Sequence, residues 1–338
     1  MTYSDIIRNN CEHHSAVNWW PRFAYHMTDV SNATSILSSG FLYSRIQAKY
    51  MGIMQNDNAS RQVIDITDRS TIAYVRFYFR PLTPTQYYNE GFKHKEIRYH
   101  GDDYANMPVP IFLLFDLETI LNMKDTRFSE LSQAGSGCPL RQGMGDFSNL
   151  PFDKIYSNGA ANRDIIQYRQ AEILYPLFFE IDASLKFILC RNEVDKQTLL
   201  NLLKQEDKSA YEKYKERIKI PPHGTFYRNG LFIDNVIYHD NLLSFVFSDT
   251  PEKAYYVNKN AKGKEISEVE AMFQFEWINA RRTLLSAVSK VEISYLNTKP
   301  VVFKLPEVEH AKTLRVRLSI DDKCICVFEQ SLSPYDLI

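Results

Sequence analysis

The sequence lacks the positive charge excess that is typical of proteins that coat nucleic acid without regard to its sequence. Its 40 Lys and Arg residues are balanced by 41 Asp and Glu residues, so the formal net charge is −1. Phosphate contacts supply most of the affinity of such binders, so this balance argues against a general nucleic-acid-binding module. Any contact with nucleic acid must then use a local groove, as an enzyme with a small footprint does.

Cysteine and long apolar runs are also scarce. The five cysteines are odd in number and include no Cys-x-x-Cys pair, which supports neither a zinc ribbon nor a disulfide framework. No apolar run approaches the roughly 18 residues that a membrane-spanning helix needs. The first residues lack the basic start of a signal peptide. We therefore expect a cytoplasmic protein with reduced thiols, no bound metal and no membrane partner.

The chain nevertheless has enough apolar material for sizeable cores. Its length of 338 residues and hydrophobic content of 44% favour two packed domains. In the N-terminal part, the patterns predict strands at 23–26, 74–79, 110–115, 171–176 and 177–181. They predict one helix that Asp29 caps and Gly40 ends, and another helical segment over 195–219.

The break at Pro221-Pro222-His223-Gly224 indicates a domain boundary, which gives domains of 1–220 and 221–338. Beyond it, short strand patterns occur at 242–247, 254–257, 291–296, 301–305, 314–320 and 324–330. Asp321-Asp322-Lys323 resembles a hairpin turn. Residues 265–290 are ambiguous: alternation at Phe273, Phe275 and Trp277 favours a strand, whereas 280–288 is compatible with a helix.

Three short segments carry the chemistry. They are Tyr25-His26-Met27-Thr28, Tyr74-Val75-Arg76-Phe77-Tyr78-Phe79-Arg80-Pro81 and Tyr168-Arg169-Gln170-Ala171-Glu172-Ile173-Leu174. With these segments in this order, the chain resembles the DarT family, toxins that attach ADP-ribose from NAD to bases of nucleic acid. The resemblance covers residues 20–190 and leaves the C-terminal third unexplained.

The resemblance implies an α+β fold, with an ADP-ribosyltransferase-like split β-sheet domain followed by a smaller β-rich accessory domain. It also implies NAD as a substrate, no metal, and a single-stranded nucleic acid as acceptor, DNA first and RNA second. A base inside a duplex is hidden from an active site, which is why a single strand is expected. A toxin of this kind implies an antitoxin protein as partner and a role in a toxin–antitoxin or anti-phage system.

Glu172 is the catalytic glutamate that the resemblance implies. Release of nicotinamide builds positive charge on a ribose carbon, and a carboxylate beside the sugar offsets that charge. The same group can take a proton from the attacking base. The tetrapeptide Arg169-Gln170-Ala171-Glu172 taken alone is equally compatible with a Glu at a strand end that pairs with Arg169 or is solvated.

The remaining NAD-binding residues follow from the same resemblance. His26 suits a ribose hydroxyl because an imidazole can donate or accept; Thr28 and Asn32 lie close behind it. An arginine is expected at the phosphates. The segment offers Arg45, Arg61, Arg69 and Arg76, of which we choose Arg61, grouped with Glu172 as catalytic, and then Arg69. Tyr78 and Tyr87 are candidates for an aromatic wall beside nicotinamide.

The glycine-containing segment 128–163 leads into Glu172, and in this superfamily the loop before the glutamate selects the target. Aromatic rings there suit base stacking, and amides and cations suit base edges and phosphates. The candidate nucleic-acid-binding residues are Phe147, Asn149, Tyr156, Asn158, Arg163 and Arg169. An ordered surface loop without this role is the alternative.

Two other functions are compatible with the sequence. The same fold can modify protein side chains or hydrolyse NAD, although hydrolysis does not need an aromatic, amide-rich loop. The chain can also be a catalytically silent module that binds nucleic acid or a partner. Substitution of Glu172 separates the silent module from the enzymes, because a silent module would be indifferent to it.

Overall fold

The computed structural model describes residues 1–53, 69–99, 102, 106–134, 137–222 and 224–332. The strands are β1 Phe23–Asp29, β2 Phe41–Tyr43, β3 Tyr74–Tyr78, β4 Pro110–Asp116, β5 Arg127–Ser129, β6 Glu172–Pro176, β7 Phe178–Glu180, β8 Leu185–Cys190, β9 Ile218–Lys219, β10 Ile233–His239, β11 Leu242–Phe247, β12 Glu268–Ile278, β13 Thr283–Ser294, β14 Val301–Lys304, β15 Thr313–Ile320 and β16 Lys323–Ser331. The α-helices are α1 Tyr3–His13, α2 Val30–Ser39, α3 Arg45–Tyr50, α4 Arg69–Ile72, α5 Pro84–Asn89, α6 Leu117–Leu121, α7 Gly143–Ser148, α8 Phe152–Ile155, α9 Arg163–Ile166, α10 Glu193–Glu206, α11 Lys208–Tyr214 and α12 Pro251–Asn260.

A seven-stranded sheet in the order β5-β6-β3-β1-β4-β8-β9 forms the centre of the N-terminal part. Its pairs are antiparallel except for β8 and β9. The apolar run of β4 is buried from Pro110 to Phe115, as expected for a central strand covered on both faces. Phe77, Phe115 and Phe179 meet edge to face with centroids 5.2 to 5.5 Å apart. This sheet and its helices confirm the predicted α+β class.

Helix α2 begins and ends where the sequence indicates. The Asp29 carboxylate accepts a hydrogen bond from the Ser31 backbone N–H, and Gly40 takes a left-handed conformation with φ 77° at the other end. A carboxylate satisfies an otherwise unpaired N–H of the first turn, and glycine enters the left-handed region without a steric cost. These two residues fix the helix directly behind the His26 segment.

The C-terminal part is built from two antiparallel sheets, β10-β11-β14 and β13-β12-β15-β16. In β12, the side chains of Phe273, Phe275 and Trp277 are buried in the core and the residues between them are less buried, as the sequence predicts. Residues 283–294 form β13, so the helical alternative for 280–288 is wrong. Asp321 and Asp322, with φ of 50° and 58°, form the predicted two-residue hairpin turn.

The strand predicted at 254–257 is wrong, because these residues lie inside α12. The Thr250 hydroxyl accepts from the Lys253 backbone N–H, and Pro251 occupies the first turn. Both are helix-start signals, and together they outweigh the β propensity of the Tyr-Tyr-Val segment. Tyr256 and Val257 point into the core while Tyr255 is exposed, which is the periodicity of a helix.

Direct hydrogen bonds connect the two parts. On α10, Thr198 accepts from the Val327 backbone N–H (3.2 Å) and Asn201 donates to the Val327 carbonyl (2.8 Å). The buried Glu90 carboxylate accepts from the backbone N–H groups of Tyr227 and Arg228, at 2.8 and 2.7 Å. The segment after Pro222 is therefore bound to the first part. The division at residue 220 stays a prediction.

The described residues nevertheless form two large hydrophobic cores, beside a small third cluster of Tyr25, Phe112, Leu114 and Leu189. The first is drawn from residues up to Ile218, and the second from Leu231 onward together with Phe92 and Ile97. None of the helices in the described ranges is both long and apolar enough to cross a membrane.

Two glycines, Gly91 and Gly230, bring the backbones of the two parts close together. A Cβ added to Gly230 would lie 2.7 Å from the Gly91 carbonyl carbon and 2.9 Å from the Glu90 oxygen. Phe92 and Leu231, the next residues, exchange two backbone hydrogen bonds of 2.9 Å. Glycine is required here because the paired backbones leave no room for a side chain.

We expect Gly230→Ala to lower the free energy of unfolding by about 2 kcal/mol or more, because the methyl group must push two hydrogen-bonded backbones apart. Urea denaturation measures the change. Gly145→Ala is the matched control, since its added Cβ meets nothing within 4 Å. Equal effects of the two substitutions would contradict the close-approach explanation.

Candidate active site

The register of β3 assembles the site. Tyr78 lies opposite Tyr25 of β1 on one side and opposite Glu172 of β6 on the other. The Arg76 carbonyl accepts a hydrogen bond of 3.0 Å from Nδ1 of His26. Three segments that are distant in the sequence thus meet on adjacent strands, and the predicted residues His26, Tyr78 and Glu172 lie at one sheet region.

Glu172 begins β6 and has only 1% of its surface exposed. Its Oε1 accepts from the Ser132 hydroxyl (3.2 Å), and its Oε2 accepts from the Gln133 backbone N–H (3.3 Å). The Arg76 guanidinium lies 3.7 Å from Oε2. A buried carboxylate with three partners is held in one orientation, as a group that must meet a single substrate atom requires.

Burial dominates the electrostatics of this carboxyl group. It raises the pKa of Glu172 above its ordinary value, and the positive charge of Arg76 and the two hydrogen bonds only partly offset this effect. Ionisation is therefore costly in the enclosed site, and the carboxylate gains from any positive charge that develops nearby. Acids with such shifted pKa values cluster at functional sites.

Within the described residues, Arg76 places its guanidinium next to Glu172. The sequence offered it together with Arg45, Arg61 and Arg69, but spacing alone does not show which guanidinium turns toward β6. Its side chain is 26% exposed, so the site opens to solvent on this side, and it also donates to the Thr71 hydroxyl at 3.2 Å. Arg61, our first choice, lies outside the described residues. Arg69 begins α4, but its side chain is not among the parts that the structure describes.

His26 has a defined tautomer. Because the Arg76 carbonyl can only accept, Nδ1 of His26 carries the proton and Nε2 has a free lone pair when the ring is neutral. Burial lowers the pKa of His26, with the carbonyl contact opposing this only in part, which favours the neutral ring. The imidazole can thus accept a hydrogen bond from a hydroxyl group.

The neighbours of His26 take different positions. Thr28 is buried opposite Ile111 of β4, and Asn32 lies half-buried in the first turn of α2. Tyr78 is held beside Glu172, and its hydroxyl contacts that of Thr85 at 3.4 Å. Burial and the Glu172 charge raise the pKa of Tyr78 to about 12, so its hydroxyl stays protonated.

Tyr87 contacts the rings of Tyr88, Tyr227 and Tyr256, each with centroids 5.2 Å away. It therefore faces residues of the second core, a position that the sequence did not indicate. A wall for nicotinamide is better supplied by Tyr78, which lies beside the glutamate. The role assigned to Tyr87 stays a prediction.

Phe147 and Tyr156 are packed in the core, which corrects their assignment as base-stacking residues. Phe147 contacts the rings of Tyr3, Phe79, Phe128 and Phe152. Tyr156 stacks on Phe152 at 6.0 Å. With 1% and 2% of their surfaces exposed, these rings offer no face to a base. The sequence misleads here because an aromatic residue that holds a loop down looks like one that binds a ligand.

The polar candidates of the same segment remain exposed or partly exposed. Asn149 follows α7 and donates to the Gly145 carbonyl, Asn158 accepts from the Gly159 N–H, and Arg163 lies exposed in α9. Arg169 donates to the Ser157 hydroxyl (3.1 Å) and the Gly159 carbonyl (2.9 Å). Arg169 therefore orders the loop, and the ion-pair partner of Glu172 is Arg76 instead.

Arg80 is a further ordering residue that the sequence did not single out. Its buried guanidinium donates to the carbonyls of Pro81, Ile155 and Ser157 and lies 4.4 Å from the Trp20 ring centre. Burial lowers the pKa of Arg80 to about 9, so the group remains charged at neutral pH. It ties the segment before Glu172 to β3.

His13, His14 and Asp153 bring three potential metal-ligand atoms within 4.8 Å of one another. Both imidazoles approach the same carboxylate oxygen, at 3.1 and 3.6 Å. Asp153 is too distant in sequence for a spacing pattern to reveal the group. Burial and the neighbouring His13 lower the pKa of His14, with the Asp153 charge opposing this. The absence of a metal cofactor stays a prediction.

The arrangement is suited to one kind of chemistry. A buried carboxylate beside a guanidinium and a neutral histidine with a free lone pair can bind a ribose and an anionic diphosphate while stabilising positive charge on the sugar. An ADP-ribosyl transferase needs these groups.

A family model described as "ssDNA thymidine ADP-ribosyltransferase, DarT" matches residues 25–227, which is more than half of the chain. The chain therefore belongs to the DarT family, whose members are NAD-dependent ADP-ribosyltransferases. No curated protein sequence matches it.

Several solved DarT structures are similar to the chain. Thermus sp. 2.9 DarT in complex with ADP-ribosylated ssDNA has 20% sequence identity and a TM-score of 0.48, over 60% of this chain and 94% of that one. The same protein in complex with NAD+ has 20% identity and a TM-score of 0.43, over 55% and 89%. Thermosipho africanus DarTG in complex with ADP-ribose has 15% identity and a TM-score of 0.47, over 65% and 54%.

We expect Glu172→Gln to stabilise the protein at neutral and alkaline pH. A raised folded-state pKa means that the stability from this group is fully present below its unfolded pKa, about 4.3, and is lost as pH rises through the folded pKa. Gln carries no charge and avoids this loss. In urea unfolding at pH 8, the variant should have a larger free energy of unfolding than the wild type. This difference should disappear at pH 4. The same pH response in the exposed-site control Glu180→Gln would contradict this account.

Proposed function

We propose that the protein transfers the ADP-ribosyl group of NAD+ to a thymine base of single-stranded DNA, with Glu172 as the catalytic carboxylate. The observation that carries this proposal is the buried Glu172 beside Arg76, joined through β3 to His26, in a chain of this family. These groups supply what the reaction requires, namely a charge-stabilising carboxylate, a phosphate-binding cation and a ribose acceptor.

The reaction breaks the bond between C1′ of the nicotinamide ribose and the nicotinamide nitrogen, and nicotinamide leaves as a neutral molecule. Positive charge develops on the ribose, and the Glu172 carboxylate offsets it while accepting a hydrogen bond from a ribose hydroxyl. A new bond forms between C1′ and the base. The raised pKa of Glu172 suits it to take the proton that the base must lose.

Thymine has two ring nitrogens, one bonded to its sugar and one that carries a hydrogen. In a duplex this N–H forms a base-pair hydrogen bond. A single strand exposes it, so the proposed chemistry and the proposed acceptor agree. Arg76 would bind an oxygen of the NAD+ diphosphate on the open side of the site, and Nε2 of His26 would accept from a ribose hydroxyl. Tyr78 would contact the nicotinamide ring.

The biological setting forms part of the proposal. A nucleobase-modifying toxin needs a partner that neutralises it, and we propose an antitoxin protein and action in the cytoplasm, where NAD+ and DNA meet. A role in anti-phage defence and activity on RNA are the further possibilities of this class. The acceptor experiment below separates DNA from RNA.

We expect Glu172→Gln to reduce transfer of label from NAD+ to single-stranded DNA by about 10²- to 10⁴-fold, because the neutral amide neither offsets charge nor accepts a proton. Radiolabelled NAD+ incubated with single-stranded DNA, duplex DNA, RNA and protein extract measures the product. Glu180→Gln, exposed on β7, is the matched control. Label on protein, or free ADP-ribose alone, from the wild-type protein would contradict the proposed acceptor.

We expect His26→Ala to raise the KM for NAD+ about tenfold, because the variant loses one buried hydrogen bond to the substrate. In the wild type, the KM should rise as pH falls through the lowered pKa of His26, because protonation of Nε2 removes the acceptor. The variant should lack this rise. His26→Gln, which keeps a side-chain acceptor, should lose less affinity. An unchanged KM with a reduced kcat would instead show that His26 does not bind NAD+.

A further inference from the structure

A second cleft lies where the N-terminal part meets α12. It has a volume of about 340 Å³ and is lined by Tyr87, Tyr227, Asn229, Pro251, Glu252 and Tyr255. Three of these six residues are tyrosines, contributed by α5, by the segment after the proposed boundary and by α12. Neither part forms this cleft alone, and the family match ends at residue 227, within its wall.

The cleft has a wall of packed aromatic rings on one side and an exposed ring on the other. Tyr87 and Tyr227 meet at 83° with centroids 5.2 Å apart, and the Tyr227 hydroxyl donates to the Leu82 carbonyl at 2.8 Å. Tyr255, on the outer turn of α12, is 63% exposed. An exposed ring beside a rigid aromatic wall forms a stacking platform for a flat ring.

Positive charge accompanies the rings. Lys259, one turn after Tyr255, places its Nζ 5.4 Å from the Tyr87 ring centre and 6.0 Å from that of Tyr255. The positive charges of Arg80 and Arg169 also act on the Tyr227 hydroxyl, from the side of the segment that precedes Glu172. Glu252 is the one acidic residue of the lining, and its carboxylate can accept from the N–H group of a base edge. Rings flanked by cations suit a base and its phosphate.

The cleft and the active site lie beside the same helix, α5. Helix α5 carries Thr85, whose hydroxyl contacts Tyr78 beside Glu172, and two residues later it carries Tyr87 of the cleft. Residues two apart point to nearly opposite sides of a helix, so the two sites are separated by about the width of α5, roughly 10 Å with its side chains. A single strand of several nucleotides is long enough to pass from one site to the other.

We propose that this cleft binds an unpaired base of the single-stranded DNA, one that flanks the modified base, by stacking between Tyr255 and the Tyr87–Tyr227 wall. This inference rests on the proposed function. It assigns to the C-terminal part the task of holding the strand, while the central sheet carries out the transfer.

The test measures binding of fluorescein-labelled single-stranded oligothymidines of about 5 and about 15 nucleotides by fluorescence anisotropy. All proteins carry Glu172→Gln and NAD+ is left out, so no turnover occurs. Tyr255→Ala should weaken binding of the longer strand about tenfold and reduce the preference for the longer over the shorter strand. Tyr255→Phe keeps the ring and should retain that preference. Val288→Ala, also 63% exposed but on β13, is the control.

Three results would overturn the proposal. They are unchanged binding of the longer strand by Tyr255→Ala, equal losses for both lengths, or a raised KM for NAD+ when Tyr255→Ala is made with Glu172 intact. The last result would assign the cleft to NAD+. Lys259→Gln provides a second variant and should flatten the salt dependence of binding. Anisotropy measures DNA binding at the cleft and does not depend on catalysis. Failure of the wild-type protein to label DNA would therefore contradict the proposed function without contradicting binding at the cleft.

Discussion

The placement of β3 between β1 and β6 is the constraint on which the site depends. Side chains alternate between the faces of a strand, and a slip of one residue in either pairing would turn every side chain of β3 to the opposite face. The observed register sets Tyr78 opposite Glu172 and leaves the Arg76 carbonyl free to accept from His26. Buried Phe77 and Val75 on the other face hold this register, since exposing them would cost apolar burial.

The second constraint is the segment that precedes Glu172. Arg80 and Arg169 together donate to three carbonyls and one hydroxyl between Ile155 and Gly159. Phe147 and Tyr156 anchor the same segment in the core. An irregular segment has few backbone hydrogen bonds of its own, so these side chains supply its order. These contacts thus fix the conformation of the segment that leads to Glu172 in the sequence.

The sequence could predict the elements whose signals are local. Asp29 and Gly40 define α2, the apolar run defines β4, and the Asp-Asp turn defines the last hairpin. It could not show that the Arg76 guanidinium lies next to Glu172, because the partner of a guanidinium depends on strand register. The same limit explains Phe147 and Tyr156, whose burial is a tertiary property. The α12 region was mistaken because its capping residues, Thr250 and Pro251, precede a segment of high β propensity.

The central claim is that this strand register creates an active site that joins ADP-ribose to a thymine. The direct test uses two single-stranded oligonucleotides that are identical except that one lacks thymine. Each is incubated with the wild-type protein and NAD+, and its mass is then measured by mass spectrometry. The account predicts a mass gain of one ADP-ribosyl group on the thymine-containing strand and none on the other. Two unmodified strands, with NAD+ either intact or converted to free ADP-ribose, would contradict it.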